Sequence, residues 1–237
     1  MANKYLTIYK DLVQKIEQGS IAENTKLASE NQLAEEYDAA RGTIRKALNL
    51  LSQNGYIQKI KGKGSFVLDV QKFDFPVSGV VSFKELAAKL EGEAVTKVLD
   101  LEQIEPTDIW QAKLNLAAND KLWKVVRVRE IDGEKIILDQ DFLKQEFIPQ
   151  LTEEICADSL YEYIEDKLGL TISFAKKEIS VEGATKQDEK LLDLAGYEVV
   201  VVVKSFVYLD DASVFQYTES RHRPDKFKFV DFARRSQ

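Results

Sequence analysis

Arg41–Val67 reads RGTIRKALNLLSQNGYIQKIKGKGSFV, a helical pattern running into a basic hairpin, and it settles the architecture of the first third of the chain. Ile44, Ala47, Leu48 and Leu51 recur at helical spacing, and Gly55 stands just past the last of them, where a left-handed residue costs little. The opposite face of that helix carries Arg41, Thr43, Arg45, Lys46 and Asn49. Tyr56–Ile60 and Ser65–Leu68 read as short strands around Lys61-Gly62-Lys63-Gly64, a turn in which the glycines take positive φ and the lysines project outward. From Arg41 to Leu68 there are six cations and no Asp or Glu, in a chain whose net charge is −7. A basic island in an acidic chain is the footprint of a polyanion site.

Upstream of this stretch, Tyr5, Ile8, Tyr9, Leu12, Val13 and Ile16 form one apolar stripe on a helix that Gly19 ends. Ser29, with Gln32 three residues on, is a capping-box start for a second helix with Leu33, Ala34 and Tyr37 inward. Asp38, Ala39 and Ala40 make a short turn into the Arg41 helix. Two helices joined by a tight turn, the second offering Arg and Thr near its N-terminus, are what major-groove readout needs: Arg forks onto guanine, and Thr bonds a phosphate or meets a thymine methyl. A solvated Lys/Arg surface would explain the helix face alone. The acid-free, glycine-rich wing behind it shifts the balance toward DNA, with cations placed for a minor groove or phosphates.

The rest of the chain differs in charge. Residues 1–72 hold 11 Lys and Arg against 8 Asp and Glu, whereas residues 73–237 hold 22 against 32, which suggests two domains with two functions. The 237 residues, 44% of them hydrophobic, are enough for two cores. The single Cys156 excludes an intramolecular disulfide, and one His leaves no cluster for zinc, so neither a metal nor a cofactor is expected. No signal core or membrane-spanning run is visible, and the expected compartment is the reducing cytoplasm.

The expected division is residues 1–70, a linker over 71–80 containing Phe73-Asp74-Phe75-Pro76, and a second domain over 81–237. In the second domain, strands are expected near Val95–Glu105, Lys121–Ile131, Lys135–Leu143, Ile172–Glu182, Glu198–Leu209 and Ser213–Arg223. Helices are expected at Phe83–Leu90, Ser159–Leu168 and Gln187–Ala195, the last capped by Thr185 and stopped by Gly196. Asp132-Gly133 and Asp210-Asp211 read as hairpin turns, which make their flanking strands antiparallel and the domain α+β. Arg127 and Arg129 share one face of a strand, and Asp139 lies on the strand that the Asp132-Gly133 hairpin pairs with it. Such arginines meet either internal acids or an anionic ligand. The lone His222 is by itself more consistent with surface or core than with catalysis, and a lyase-like enzyme would need partners for it that the sequence does not display.

These residues carry a family resemblance. LASENQLAEEYDAARGTIRKALNLLSQNGYIQKIKGKGSFV resembles the DNA-binding signature of GntR-type winged-helix repressors. The resemblance implies Arg41, Thr43 and Arg45 as recognition-helix contacts and Lys61, Gly62, Lys63 and Gly64 as the wing, with Ser29, Asn31 and Lys46 completing the DNA-facing set. Ala28, Ala40 and Asn31 depart from the Pro, Ser and basic residue common at those positions, so a helix cap before Arg41 and a second-helix contact are weakened. Residues from about Ser82 to Phe232 resemble the effector-binding (UTRA) domain of the HutC subfamily, with a chorismate-lyase-like fold and no catalysis. By that resemblance Ser82, Arg127, Arg129, Ser159 and Tyr161 hold a phosphate, Phe83 belongs to the effector site as the partner of Ser82 in an S-F pair, and Asp139, Gln216 and His222 meet a sugar. The stretches FPVSGVVSFKELA, SLYEYIEDKLGL and FQYTESRHRPDKFKFVDFARR resemble sugar-operon repressors of this subfamily and imply trehalose 6-phosphate as the effector. Double-stranded operator DNA read by a homodimer is the implied macromolecular partner. Another sugar phosphate or a carboxylate is the alternative ligand.

Overall fold

A computed structural model describes residues 4–68, 79–88 and 92–229. The chain divides into two compact units. The expected linker, apart from Gly79 and Val80, lies outside the described residues, as do Lys89 and Leu90 at the end of the expected Phe83 helix.

In the first unit, α1 (Lys4–Glu17), α2 (Glu30–Glu36) and α3 (Arg41–Gln53) precede a hairpin of β1 (Ile57–Ile60) and β2 (Gly64–Val67). Ile8, Leu12 and Ile16 of α1 meet Leu33 of α2, Ile44, Ala47, Leu48 and Leu51 of α3 and Ile57 and Val67 of the hairpin in one buried core. Ser29 starts α2 with the expected reciprocal capping box to Gln32. Ala40 starts α3 with no side-chain cap, as its methyl dictates. Gly62 and Gly64 take φ of 76° and 110°, which lets the wing turn between Ile60 and Gly64.

The second unit is built on one six-stranded sheet, all antiparallel, in the order β3 (Ala94–Ile104), β4 (Leu122–Ile131), β5 (Glu134–Lys144), β8 (Val214–His222), β7 (Val199–Leu209) and β6 (Ile172–Gly183). Each strand matches its sequence expectation to within two residues. Asp132 and Gly133, at φ 51° and 80°, close the β4–β5 hairpin in the left-handed conformation that a two-residue turn requires. The β7–β8 turn is one residue longer than Asp210-Asp211: Ala212, at φ 66°, completes a three-residue loop closed by Leu209 N–H donating to Ser213 O.

Alternation along the strands sends Val126, Val128 and Leu138 to one side, where Leu192 covers them, and Phe142 and Tyr217 pack there against Trp110 of α5 (Asp108–Leu114). Val125 and Leu143 point to the other side, into a core with α6 (Glu153–Ala157) and α7 (Leu160–Glu162). The strand periodicity gives no sign of α5 or α6, which are under eight residues each. The expected Ser159–Leu168 helix is α7 followed by one π-helical segment, Tyr163–Lys167. The Gln187–Ala195 expectation is corrected: α8 spans Lys186–Leu191, and Leu192 is already extended. Asp193 ends it, because its N–H donates to Lys135 O and its carboxylate accepts from Lys135 N–H, pinning the chain to β5.

Candidate functional site

The first unit presents one basic surface. Arg41, Arg45 and Lys46 are exposed and Thr43 half-buried along α3, while Ile44, Ala47 and Leu48 are buried behind them. Arg45 is 62% exposed, and its nearest acid, Glu30 on α2, is 3.5 Å away at the edge of hydrogen-bond range. An exposed pair at that distance contributes little, so the guanidinium is available to a base edge. Lys61, Gly62, Lys63 and Gly64 are all exposed. Lys59 joins wing to helix by donating to Asn49 Oδ1 at 2.7 Å. Ser29 is occupied with its own capping box, and Asn31 is exposed on the first turn of α2.

The second unit contains a cavity on the α6–α7 side of its sheet. All nine effector-site candidates line it: Ser82, Phe83, Arg127, Arg129, Asp139, Ser159, Tyr161, Gln216 and His222. Their convergence follows from register. Arg127 and Arg129, two apart on β4, share a face with Asp139, the β5 partner of Arg127, and β8 brings His222 level with Arg129 and Gln216 against Asp141. Ser82 and Ser159 arrive from the opposite wall as N-caps of α4 (Phe83–Ala87) and α7.

The two arginines are 5% and 4% exposed. Arg127 donates from Nη2 to Asp141 Oδ2 at 2.6 Å and from Nη1 to Cys156 O at 3.2 Å. Arg129 donates from Nε to Asp139 Oδ2 at 2.8 Å and from Nη1 to Thr96 Oγ1 at 2.6 Å, and its guanidinium stacks 4.7 Å from the centre of the Phe83 ring. Both readings of the pair therefore meet here: the arginines have internal acids and also face a cavity. Among the described residues, Arg127 Nε and Gln216 Oε1 are buried with no hydrogen-bond partner, which is costly unless something else supplies one.

The electrostatics reflect the crowding of charge among buried groups. Burial opposes the Arg127 charge, but Asp141 and Asp139 outweigh it and raise its pKa. Burial and the neighbouring Arg127 charge lower that of Arg129. Burial would raise the Asp139 carboxyl, but the two arginines and the Ser220 hydroxyl hold it below its ordinary value. Burial lowers His222 to about 4, so the imidazole is neutral at pH 7. Burial likewise raises the Tyr161 hydroxyl, which stays protonated and able to donate.

Sequence reasoning missed Asp141, the partner of Arg127. It also missed Thr218 and Ser220 on β8, Ser205 on β7 and Lys177 on β6, all of which line the cavity. The signal was present: Gln216, Thr218, Ser220 and His222 alternate with other residues along β8, a polar row on one face of a strand.

Comparison with known proteins agrees with this two-part architecture. Residues 4–67 match the model for bacterial regulatory proteins of the gntR family, and residues 89–228 match that for the UTRA domain. The chain is 54% identical over 235 residues, 99% of both chains, to the HTH-type transcriptional regulator TreR of Bacillus subtilis strain 168. It is 27% identical to the HTH-type transcriptional repressor NagR of the same organism, over 96% of this chain and 93% of that one. Among solved structures, the possible transcriptional regulator YydK of Bacillus subtilis shares the fold at a TM-score of 0.80, with 24% identity over 98% of this chain and 99% of that one. The effector-binding domain of the Bacillus subtilis trehalose repressor gives a TM-score of 0.56 at 52% identity, covering 60% of this chain and 99% of that one. The chain belongs to the gntR family of bacterial regulatory proteins, with a UTRA domain following its helix-turn-helix head.

Proposed function

We propose that this protein is a cytoplasmic repressor of a trehalose-utilisation operon, that it binds operator DNA as a homodimer, and that trehalose 6-phosphate releases it. The 54% identity to a regulator named TreR supports the operon assignment. The observation that carries the ligand class is the buried Arg127–Arg129 pair facing a cavity, with Arg127 Nε left without a partner among the described residues. Buried ion pairs are poor stabilisers, so two of them lining a cavity are better accounted for by binding than by folding. A phosphate oxygen accepts from Arg127 Nε and from Arg129 Nη2, which makes no hydrogen bond among the described residues, and the Ser82 and Ser159 hydroxyls reach it from the opposite wall. The neutral His222, with Asp139 and Gln216, then contacts sugar hydroxyls.

Release is a linkage effect. A ligand that favours a state in which the reading heads are misplaced weakens DNA binding by its coupling energy, typically about 1–3 kcal/mol. No catalytic role is assigned to the cavity, because burial lowers the pKa of its imidazole to about 4, far from the operating pH a general acid or base needs, and its carboxylates Asp139 and Asp141 are committed to arginines. Thermal unfolding with and without ligand tests the reading: trehalose 6-phosphate should raise the unfolding temperature in a concentration-dependent way, and trehalose itself should not. Equal shifts with both sugars would refute the phosphate assignment.

A further inference from the structure

The cavity floor continues past the residues assigned so far. Strand pairing aligns Asp141 with Thr218, Thr218 with Ser205 and Ser205 with Lys177, so β5, β8, β7 and β6 contribute one polar row across the sheet. All four residues line the cavity. With adjacent strands about 4.8 Å apart, Ser205 lies about 10 Å and Lys177 about 14 Å from Asp141 along that row.

The near end of the row is committed: Asp141 accepts from Arg127 and from Gln216 Nε2. The far end is not. Lys177 donates to the Gly79 carbonyl at 2.6 Å and makes no ion pair among the described residues. Burial lowers its pKa, with no carboxylate among the described residues to oppose the effect. Desolvating an ammonium without a counter-charge costs stability, and folding alone gives no return for it. With three N–H donors and one in use, the group has two to offer. Val203 and Val207 flank Ser205 in the cavity wall, so donors and hydroxyls are bordered by apolar surface. A pyranose ring presents the matching mixture, hydroxyls at its edge and C–H groups on its faces.

We propose that Thr218, Ser205 and Lys177 form a second-sugar subsite, which holds the ring remote from the phosphate and makes the cavity prefer a disaccharide phosphate over a hexose phosphate. The inference rests on the sugar-phosphate reading above. With phosphate at Arg127 and Arg129 and the first ring over Asp139 on β5, a second ring extends along the row toward β6.

Calorimetric titration of the full chain with trehalose 6-phosphate and with glucose 6-phosphate tests it. Lys177→Met removes the donors and keeps the stem, while Ser205→Leu fills the subsite. Each should weaken trehalose 6-phosphate by about tenfold or more, the scale of a lost charged hydrogen bond or a blocked site, and leave glucose 6-phosphate within about twofold. Unchanged glucose 6-phosphate binding also shows that the variant is folded, and the near-isosteric Thr218→Val provides a milder version of the same selective loss. Equal weakening of both ligands, no change in either, or a wild-type protein that binds the two equally tightly would overturn the subsite. A wild-type protein that binds no sugar phosphate overturns the ligand reading itself, and the subsite with it.

Discussion

Replacing Arg127 with methionine probes the site where it is most buried. The wild-type guanidinium holds Asp141, a carboxylate only 2% exposed, at 2.6 Å. Removing it leaves that carboxylate, among the described residues, with a single hydrogen-bond donor, the neutral Gln216 Nε2 at 2.8 Å. Breaking one side of a buried pair costs about 3–5 kcal/mol. For a domain of this size, each kcal/mol moves the unfolding temperature by about 2–4 °C, so the UTRA transition should fall by about 6–20 °C. Arg127→Met with Asp141→Asn removes both charges and should recover most of that loss, because an absent pair costs far less than a broken one. Calorimetric unfolding of the full chain reads the transition, and titration with trehalose 6-phosphate reads the function. Both variants should fail to bind the sugar phosphate, so stability and binding separate in the double variant. A single variant within about 1 kcal/mol of wild type, or a double variant no better than the single, would refute the charge argument. Wild-type ligand affinity in the double variant would refute the phosphate role.

His222 makes stability depend on pH. Its folded pKa, about 4, lies below the ordinary 6.5, so the unfolded chain takes up the proton first as pH falls. Its contribution is full above 6.5, is lost progressively toward 4 and amounts to about 3 kcal/mol, so denaturant unfolding of His222→Gln should show a flatter pH slope across that window. On the DNA side, Arg45→Ala should cost about 1–3 kcal/mol at the preferred site and relax sequence preference, whereas Lys63→Ala should weaken all duplexes alike. Binding to a duplex selected from a random pool checks both, and equal losses on every sequence would remove Arg45 from the base contacts. Affinity for that duplex should also fall steeply with salt, since the surface works largely by displacing counterions.

The strands and the reading head were legible because periodicity and turn chemistry agreed. Ile44, Ala47, Leu48 and Leu51 fixed the buried face of α3, and with it the exposed one. The two-residue repeat fixed Arg127 and Arg129 on one face of β4, and the Asp132-Gly133 turn set their register against Asp139. The short helices α5 and α6 escaped because fewer than two full turns carry little apolar periodicity. The early end of α8 escaped because it is set by a tertiary contact, Asp193 to Lys135, with no local signal. Asp141 was overlooked although it stands two residues from Asp139 on the same strand face, because its importance comes from Arg127 across the strand pair. Likewise, the row from Thr218 to Lys177 exists only once the order β5-β8-β7-β6 is known, because its members lie far apart in the chain.

At the heart of the proposed mechanism, a sugar phosphate at Arg127 and Arg129 weakens the hold of the first unit on DNA. Fluorescence anisotropy of a labelled selected duplex, titrated with the protein at zero and at saturating trehalose 6-phosphate, measures that coupling. The wild-type dissociation constant should rise by about 5- to 150-fold, while a folded Arg127→Met, Asp141→Asn variant should bind the duplex like wild type and ignore the ligand. An unchanged wild-type dissociation constant at saturating ligand, or an undiminished response in the variant, would be incompatible with it.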